Sequence, residues 1–434
     1  MKVTPQVLLI GGGMIAGDQI LPVLYTMQRR GEIGAISVCS QHGRTVMALA
    51  NAPQLLRAFP GQSFRAYPDA SQDRNKPHPD LFRRAVLELP PRNVVVVAVP
   101  DQLHFDAVMA ALRADQHVIC VKPLVLRVRE SAEIEHEARS RGLFVGVEYH
   151  KRFDDRNLRA RGHYRDGSLG EFRMGTCRLM EKWHFRHSNF QNWCTVDSSD
   201  AFTYVGCHYV DIVQFITGLT PAAVSSHGIR DRYPNGNEGF LWCDTRVLWN
   251  NGAVLNVQTS LSCPDEAPGA NSQGMTLYFS GEGRGGMLDH SDQYRGVAYS
   301  FVRKPDGPGA TFYAEPSPDF LQYNDIGGPG LEPVGYGVRS MEALLRAPIQ
   351  IERECATLRE QQDVLEQIDR TGFLATPANS RHNDLVIEAG RLSILNGGQL
   401  AAIDYSPTPR VRLVQSWDEC LAPGAMETPL EPAR

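Results

Sequence analysis

The segment Val7–Ala16, VLLIGGGMIA, constrains the fold of this chain more than any other stretch. Its four leading apolar residues predict a strand buried on both faces, as in a parallel sheet. In a dinucleotide-binding turn, Gly11 would permit the tight bend and Gly13 would let the backbone approach a pyrophosphate. Ala16 would then let the next helix, expected over residues 15–29, pack closely and direct its positive end at phosphates. An ordinary strand-to-helix turn is the alternative for this motif taken alone.

Composition narrows the class of protein. The chain has 434 residues, of which 42% are apolar and 21% charged, and its net charge is −5. This length predicts two or three globular domains, and neither charge nor sequence predicts a nucleic-acid or membrane partner. The nine cysteines form no C-x-x-C pair, which predicts no disulfide framework or zinc ribbon and favours a cytoplasmic protein. The direct start into a strand predicts no signal peptide.

Strands and helices alternate over the first 150 residues, which predicts a doubly wound parallel sheet. Further buried strands are expected at residues 35–39, 93–99 and 118–121. The residues that follow the four strands are Gly11, Ser40, Pro100 with Asp101, and Lys122. Ligands of such sheets bind at the carboxyl ends of the strands, so we expect one crevice to collect these residues.

The second strand ends without the carboxylate that an NAD-preferring site usually offers to the ribose. Arg44 could pair with a 2′-phosphate there, although a solvated helix position is the alternative. The cofactor is therefore expected to be NAD(H) or NADP(H), with no metal site. The residues assigned to cofactor binding are Gly11, Gly13, Met14, Ile15, Ala16, Ser40, Arg44, Pro100, Asp101, His104 and Lys122.

Seven segments, in this order along most of the chain, carry a family resemblance. They are IGGGMIA (10–16), VAVPDQLHFDAVMAAL (97–112), HVICVKPL (117–124), EYHKRFD (148–154), GCHYVD (206–211), GYGV (335–338) and DLVIEAGRLSILNGG (384–398). The chain thereby resembles the Gfo/Idh/MocA family of sugar and cyclitol oxidoreductases. The resemblance implies a Rossmann domain (1–150) and an α/β domain with a large, mostly antiparallel sheet (151–404). It also implies a homodimer or homotetramer; residues 405–434 are expected to form an extended tail.

The same resemblance implies catalytic residues. Lys122 matches the lysine of the family's Glu-Lys-Pro motif, beside the nicotinamide and the substrate hydroxyl, but Val121 replaces the glutamate. His208 matches the acid/base histidine, and Tyr204 stands where the family often has an aspartate. Helical spacing over residues 200–217 would place Tyr204, His208 and Asp211 on one face. For Asp211 a structural hydrogen bond to neighbouring backbone is the favoured interpretation.

Other residues are assigned to substrate binding. His150 and Lys151 precede the family's Arg-Phe pair, and Tyr336 resembles a pocket residue, with a packed aromatic as its alternative. The polar segment 287–296 is expected between two strands and would suit a hydroxyl-rich ligand, or else form a surface turn.

These observations predict hydride transfer between a nicotinamide and a secondary alcohol or ketone of a sugar, glycoside or cyclitol. His208 is expected as acid/base and Lys122 as its hydrogen-bonding partner, with the reverse assignment open. One alternative keeps the cofactor bound and oxidises the sugar transiently, as in NAD-dependent glycosidases, epimerases or lyases. Another is an NADP-binding regulator without catalysis.

Overall fold

The structure, a computed structural model, describes residues 4–267, 271–281, 284–292, 298–301, 311–314 and 320–420. Its strands are β1 Val7–Ile10, β2 Ile36–Cys39, β3 Arg65–Tyr67, β4 Val94–Val97, β5 His117–Val121, β6 Val145–Glu148, β7 Glu171–Lys182, β8 Pro221–Arg232, β9 Glu238–Trp249, β10 Val254–Cys263, β11 Asn271–Gly281, β12 Arg284–Asp292, β13 Ala298–Phe301, β14 Thr311–Ala314, β15 Gln322–Asn324, β16 Glu332–Val334, β17 Ala401–Asp404 and β18 Arg410–Leu413.

The α-helices of the same residues are α1 Leu21–Arg29, α2 Gly43–Ala50, α3 Pro53–Ala58, α4 Leu81–Glu88, α5 His104–Arg113, α6 Val128–Ser140, α7 Asp155–Arg165, α8 Phe190–Trp193, α9 Cys207–Thr217, α10 Tyr336–Glu354, α11 Leu358–Thr371 and α12 Arg381–Leu395. Two π-turns, Ala16–Ile20 and Phe202–Gly206, run directly into α1 and α9. Short 3₁₀ turns occur at Asp101–Leu103, His150–Phe153, Trp183–His187 and Asp418–Cys420.

The chain forms two compact units. The first consists of Met1–Phe153 with Leu321–Arg381, and the second of Asp154–Phe320 with His382–Arg434. These extents differ from the expected domains, because residues 321–381 return to the first unit. The reason is packing: α10 buries Met341 and Leu344 in the same apolar core as strand residues of the parallel sheet.

The sheet of the first unit has six parallel strands in the order β3-β2-β1-β4-β5-β6. All four residues of β1 and of β4 are buried, as expected for continuous apolar and β-branched runs covered by helices on both faces. The predicted doubly wound sheet is thus confirmed. Its strand order reverses between β1 and β4, and open α/β sheets bind ligands at that switch point.

The second unit contains an eight-stranded sheet in the order β12-β11-β7-β10-β9-β8-β17-β18. The pair β7–β10 is parallel and the other neighbours are antiparallel, so the predicted large, mostly antiparallel sheet is also confirmed. Along β7 buried and exposed residues mostly alternate, which gives the sheet one core face and one solvent face.

Two local expectations in this unit were wrong. Residues 287–292 continue strand β12 and pair with β11, instead of forming a turn between strands. Arg410–Leu413 likewise adds an edge strand beside β17, so an extended tail does not begin at residue 405. Concentrated polar residues predicted a turn in the first segment, and proline and polar residues predicted an extended tail in the second, whereas both segments pair as edge strands of the sheet. Residues 293–296 of the polar segment and 421–434 of the tail lie outside the described residues.

Within the described residues, the helices are too short or too polar to cross a bilayer. Over the same part of the chain, no group of three or more His, Cys, Asp or Glu side chains is arranged to hold a metal ion.

Candidate functional site

The glycine turn after β1 fits a dinucleotide. Gly11 has φ +122°, and a Cβ atom there would lie 1.9 Å from the carbonyl oxygen of Ala98 at the end of β4. Only glycine satisfies both constraints. A Cβ on Gly13 would meet no atom within 4 Å, so open space lies where the backbone would approach a pyrophosphate. The residues present therefore fit the nucleotide that the motif predicts.

The helix after this turn begins with an irregular segment. Ala16 is fully buried against the core and its N–H bonds to the carbonyl oxygen of Gly13 at 3.1 Å. Ile15, at the cap position, makes no side-chain capping hydrogen bond, and N–H groups at a helix start are the donors that bind anions. Met14 is 47% exposed beside them. The π-turn holds one extra residue before α1 begins, and such turns are frequent at functional sites.

The other predicted cofactor residues follow strand ends of the same sheet. Ser40 comes directly after β2 and bonds through its N–H to the carbonyl oxygen of Tyr67 at 2.9 Å. Arg44 is exposed on α2, as either of its expected roles requires. Pro100 and the buried Asp101 follow β4. The structure thus places these residues at one edge of the parallel sheet, while their contact with a nucleotide stays a prediction.

His104 has a structural function that the sequence did not reveal. Its ring is fully buried, with Nδ1 2.7 Å from the carbonyl oxygen of Pro123 and Nε2 2.9 Å from that of Val99. The imidazole therefore ties the loop after β4 to the residue that follows Lys122. We expect any influence of His104 on the cofactor to pass through these two loops.

The carboxyl end of β6 carries a buried polar network. Glu148 is 3% exposed, and its carboxylate contacts Nε2 of Gln19 at 2.8 Å and Nδ1 of His150 at 2.9 Å. The His150 ring stacks on Tyr336, with centroids 5.7 Å apart and planes inclined by 26°. Lys151 is almost fully buried next to it. Three of the predicted substrate residues, His150, Lys151 and Tyr336, therefore belong to the first unit, at the edge that carries the glycine turn.

In the second unit, Asp200 begins the helix that carries the remaining predicted residues. Its carboxylate accepts from the N–H of Thr203 at 2.8 Å, which caps the π-turn before α9. Tyr204 lies in that turn, and the centroid of its ring is 4.7 Å from the centroid of the Phe190 ring. His208 is 4% exposed on α9. The helix ends at Thr217, before Gly218 with φ +73°, as predicted.

Asp211 is fully buried and accepts a hydrogen bond from Nδ2 of Asn383 at 2.8 Å. The partner is a side chain of α12, where neighbouring backbone was expected, and a structural role for Asp211 stays a prediction. On β12, His290 is buried while Asp289 and Ser291 are exposed, so the polar segment has side chains on both faces of its sheet. That alternation argues against a single hydroxyl-binding cluster there.

Comparisons with known proteins fit this geometry. Residues 6–149 match the family model described as "Oxidoreductase family, NAD-binding Rossmann fold". Residues 157–283 match the model of the "GFO/IDH/MocA C-terminal domain". The chain belongs to the Gfo/Idh/MocA family. It is thus a member of an oxidoreductase family, and its first unit has that family's NAD-binding fold.

Curated relatives of this Gfo/Idh/MocA protein match over part of their length. An uncharacterized oxidoreductase of Schizosaccharomyces pombe is 29% identical over 134 residues, 31% of this chain and 36% of the relative. D-glucoside 3-dehydrogenase of Escherichia coli is 23% identical over 231 residues, 52% of this chain and 58% of the relative. Levoglucosan dehydrogenase of Pseudarthrobacter phenanthrenivorans is 24% identical over 154 residues, 34% of this chain and 40% of the relative. The matches therefore span about two to three fifths of these relatives.

Solved structures match over nearly the whole chain. An inositol dehydrogenase homolog from Azotobacter vinelandii, complexed with NADH and myo-inositol, gives a TM-score of 0.59 at 20% identity and covers 92% of this chain and 97% of that one. GenD2 from gentamicin A biosynthesis, in complex with NAD, gives a TM-score of 0.61 at 15% identity and covers 93% of this chain and 97% of that one. At these identities the likeness shows the fold.

Val121 replaces the glutamate of the family motif, and two residues of the network, Glu148 and Gln19, were not predicted from the sequence. A charged residue that ends the buried run VGVE was a signal for Glu148, since buried carboxylates need partners. No pattern marked Gln19, whose contact spans 129 positions of the chain. Lys122 belongs to the first unit and His208 to the second. That both act on one substrate atom stays a prediction.

Proposed function

We propose that this chain is an NAD(P)-dependent dehydrogenase or reductase acting on a secondary alcohol or ketone of a sugar, glycoside or cyclitol. The observation that carries the proposal is the glycine turn at the switch point, where Gly11 is required by the close approach of Ala98 and Gly13 faces open space. Relatives named for glucoside, levoglucosan and inositol oxidation support the substrate class.

In this reaction the bound nicotinamide supplies hydride chemistry, and the protein binds, orients and handles the proton. The turn at Gly11–Ala16, with Ser40 and Asp101 at neighbouring strand ends, would hold the nucleotide. Lys122 would donate a hydrogen bond to the reacting oxygen, and His208 would take or give its proton. These roles follow the family motif and the position of Lys122 directly after β5.

The remaining predicted residues would bind the hydroxyl-rich substrate. His150 and Tyr336 form a stacked pair that carries imidazole nitrogens and a phenolic oxygen. Tyr204 would supply a hydroxyl on the helix that bears His208. Such paired donors and acceptors discriminate strongly between substrates, because a missing hydroxyl leaves a buried polar group unpaired.

We further propose a cytoplasmic enzyme, because its nine cysteines form no C-x-x-C pair. We also propose a homodimer or homotetramer whose interface is the solvent face of the eight-stranded sheet. This face bears exposed charges of both signs, among them Arg178, Asp244, Arg246 and Asp289, around a cavity of about 680 Å³. Two copies related by a two-fold axis can pair such charges reciprocally.

The test is incubation of the purified protein with NAD and, separately, NADP against a panel of sugars, glycosides and inositols, following the absorbance of reduced nicotinamide. We expect turnover of at least one polyol with at least one cofactor. Retained cofactor with product formed but no net absorbance change would instead indicate transient oxidation. Nucleotide binding with no chemistry on any substrate would contradict the proposal.

A further inference from the structure

Glu148 and His150 form a carboxylate–imidazole pair that the catalytic assignments above do not use. Glu148 is the last residue of β6 and His150 opens the following 3₁₀ turn. One carboxylate oxygen of Glu148 lies 2.9 Å from Nδ1 of His150, and the other accepts from Nε2 of Gln19 at 2.8 Å. The Glu148 side chain is 3% exposed and that of His150 is 12% exposed.

The hydrogen bonds of Gln19 fix the direction of its contact with Glu148. Its amide nitrogen donates both to Glu148 and to the carbonyl oxygen of Gly337, each at 2.8 Å, so both amide hydrogens are used. Oε1 of Glu148 is therefore an acceptor, and Oε2 faces Nδ1 of His150. An ionised carboxylate only accepts, so we assign the hydrogen of the second contact to Nδ1 of His150, which leaves Nε2 as the basic nitrogen of the neutral ring.

The pair lies at the edge of the sheet where ligands bind. β5 and β6 run parallel with Val121 paired to Glu148, and paired residues of neighbouring strands point to the same face. Lys122 follows Val121 directly. The family motif has a glutamate directly before this lysine, where this chain has Val121. Glu148, the residue paired to Val121, supplies a carboxylate on the neighbouring strand β6. Gln19 also connects this pair to the π-turn after the glycine turn.

Burying a carboxylate costs several kcal/mol unless it is paired, so a chain retains one only with compensating contacts. Here those contacts hold an imidazole in one tautomer, and the stacked Tyr336 ring fixes its plane. A carboxylate that orients a histidine in this way is the arrangement by which many enzymes build a general base.

We propose that His150 is a proton acceptor in the oxidation of the substrate and that Glu148 is its positioning residue. The inference rests on the proposed function. The secondary alcohol loses its carbon-bound hydrogen as hydride to oxidised nicotinamide and its hydroxyl proton to Nε2 of His150, which leaves a ketone. In this assignment His150 takes the proton in place of His208, and His208 contributes a hydrogen bond to the reacting oxygen. Glu148 stabilises the imidazolium that forms. Reduction of the ketone uses the same groups in reverse.

A second histidine–carboxylate pair in the same unit provides a matched control. His117, the first residue of β5, lies 3.1 Å from Glu352, and its other ring nitrogen accepts from the N–H of Phe144. This pair sits at the amino end of the strand, away from the ligand edge. Glu352→Gln should therefore reproduce the structural cost of losing a carboxylate without the catalytic effect.

The tautomer is measured first, by NMR of the histidine ring nitrogens in ¹⁵N-histidine-labelled full-length protein, with His150→Gln to assign the signal. The parent is expected to show the Nδ1–H form at His150. Glu148→Gln should shift it towards the Nε2–H form, because a glutamine can donate to Nδ1, and Glu352→Gln should leave it unchanged. A parent with the Nε2–H form overturns the assignment.

Kinetics with a turned-over sugar decide the role. His150→Gln should lower kcat about 10²- to 10⁴-fold, the usual contribution of a general base, and Glu148→Gln about tenfold or more. KM should change little, and Glu148→Asp should recover part of the loss. If kcat of both variants stays within about threefold of Glu352→Gln, or only KM changes, the proposal is overturned. A parent inactive on the whole panel would instead contradict the proposed function.

Discussion

Nδ1 of His150 and the carboxylate of Glu148 lie 2.9 Å apart at the carboxyl end of a buried parallel strand. The amide of Gln19, in the turn that follows the glycine motif, bonds to the same carboxylate. A hydrogen-bond network thus joins the region expected to bind phosphates to a histidine expected to contact substrate. This relationship guides the assignment of chemistry within the first unit.

Substitutions at the two glycines of the turn should have opposite consequences. Gly11→Ala should destabilise the fold, by about 1–3 kcal/mol or more, because the residue has positive φ and its Cβ would overlap the carbonyl oxygen of Ala98. The Cβ atom of Gly13→Ala would meet no protein atom within 4 Å, so the stability of the fold should be kept. The same Cβ atom would lie where the backbone approaches the pyrophosphate, so the affinity for nucleotide should fall at least tenfold.

Thermal melting and calorimetric titration with NAD and NADP measure the two effects. Gly162→Ala on α7, where a Cβ also meets no atom, is the control and should leave nucleotide affinity unchanged. Equal nucleotide affinity of Gly13→Ala and Gly162→Ala would show that the turn does not contact the nucleotide.

The pair of His117 and Glu352 should make stability depend on pH. Burial lowers the pKa of His117 below 6.5. Burial alone would raise the pKa of Glu352, but hydrogen bonds from His117 and Arg92 lower it from 4.5 to about 2. In both cases the unfolded chain binds protons more readily, so stability is lost as pH falls, for His117 below about 6.5 and for Glu352 from about 4.5 towards 2.

Urea denaturation at about pH 7 and about pH 4 checks this dependence. Glu352→Gln should lower the free energy of unfolding at pH 7 by about 1–3 kcal/mol and flatten its decline in acid. Parallel declines of the parent and Glu352→Gln would assign the acid sensitivity to other groups.

The buried contact between Asp211 and Asn383 should contribute to the stability of the second unit. Both side chains are fully buried. Asn383→Ala removes a donor to a buried carboxylate and should cost about 2–4 kcal/mol, whereas Asp211→Asn keeps the shape and removes the charge and should cost less. Chemical denaturation measures both, and an Asn383→Ala cost below that of Asp211→Asn would refute this assignment.

The charged face of the eight-stranded sheet should control self-association. Arg246→Glu places like charges together and should shift the protein to a smaller assembly, as measured by light scattering after size-exclusion chromatography. Adding Asp244→Arg restores the number of charges of each sign and should recover much of the association. An assembly unaffected by Arg246→Glu would place the interface elsewhere.

Much of the fold followed from local patterns. Apolar runs such as Val94–Val97 predicted buried strands, and glycine breaks such as Gly218 predicted helix ends, because burial and backbone conformation are local constraints. The return of α10 and α11 to the first unit was not predictable in this way, since it depends on contacts between distant segments. The π-turns were not predicted either, because apolar spacing over five residues does not distinguish this turn from an ordinary helical turn.

The candidate site was predictable in outline. Strand ends marked Gly11, Ser40 and Lys122, since parallel strands share one carboxyl edge. The hydrogen-bond partners of buried polar groups were not predictable from the sequence. His104 is an example: its position after Pro100 suggested a cofactor contact, but its ring nitrogens lie within hydrogen-bond distance of two backbone carbonyl oxygens. The choice of partner is made by tertiary packing.

The most direct test of the account is reduction of nicotinamide by the purified protein on the polyol panel, comparing the parent with Lys122→Ala and His208→Ala. We predict turnover by the parent and a loss of about 10²-fold or more in kcat for each variant, with nucleotide still bound. Unimpaired turnover in both variants would contradict the proposed residues. A parent that binds nucleotide but oxidises and reduces nothing would contradict the proposed enzyme.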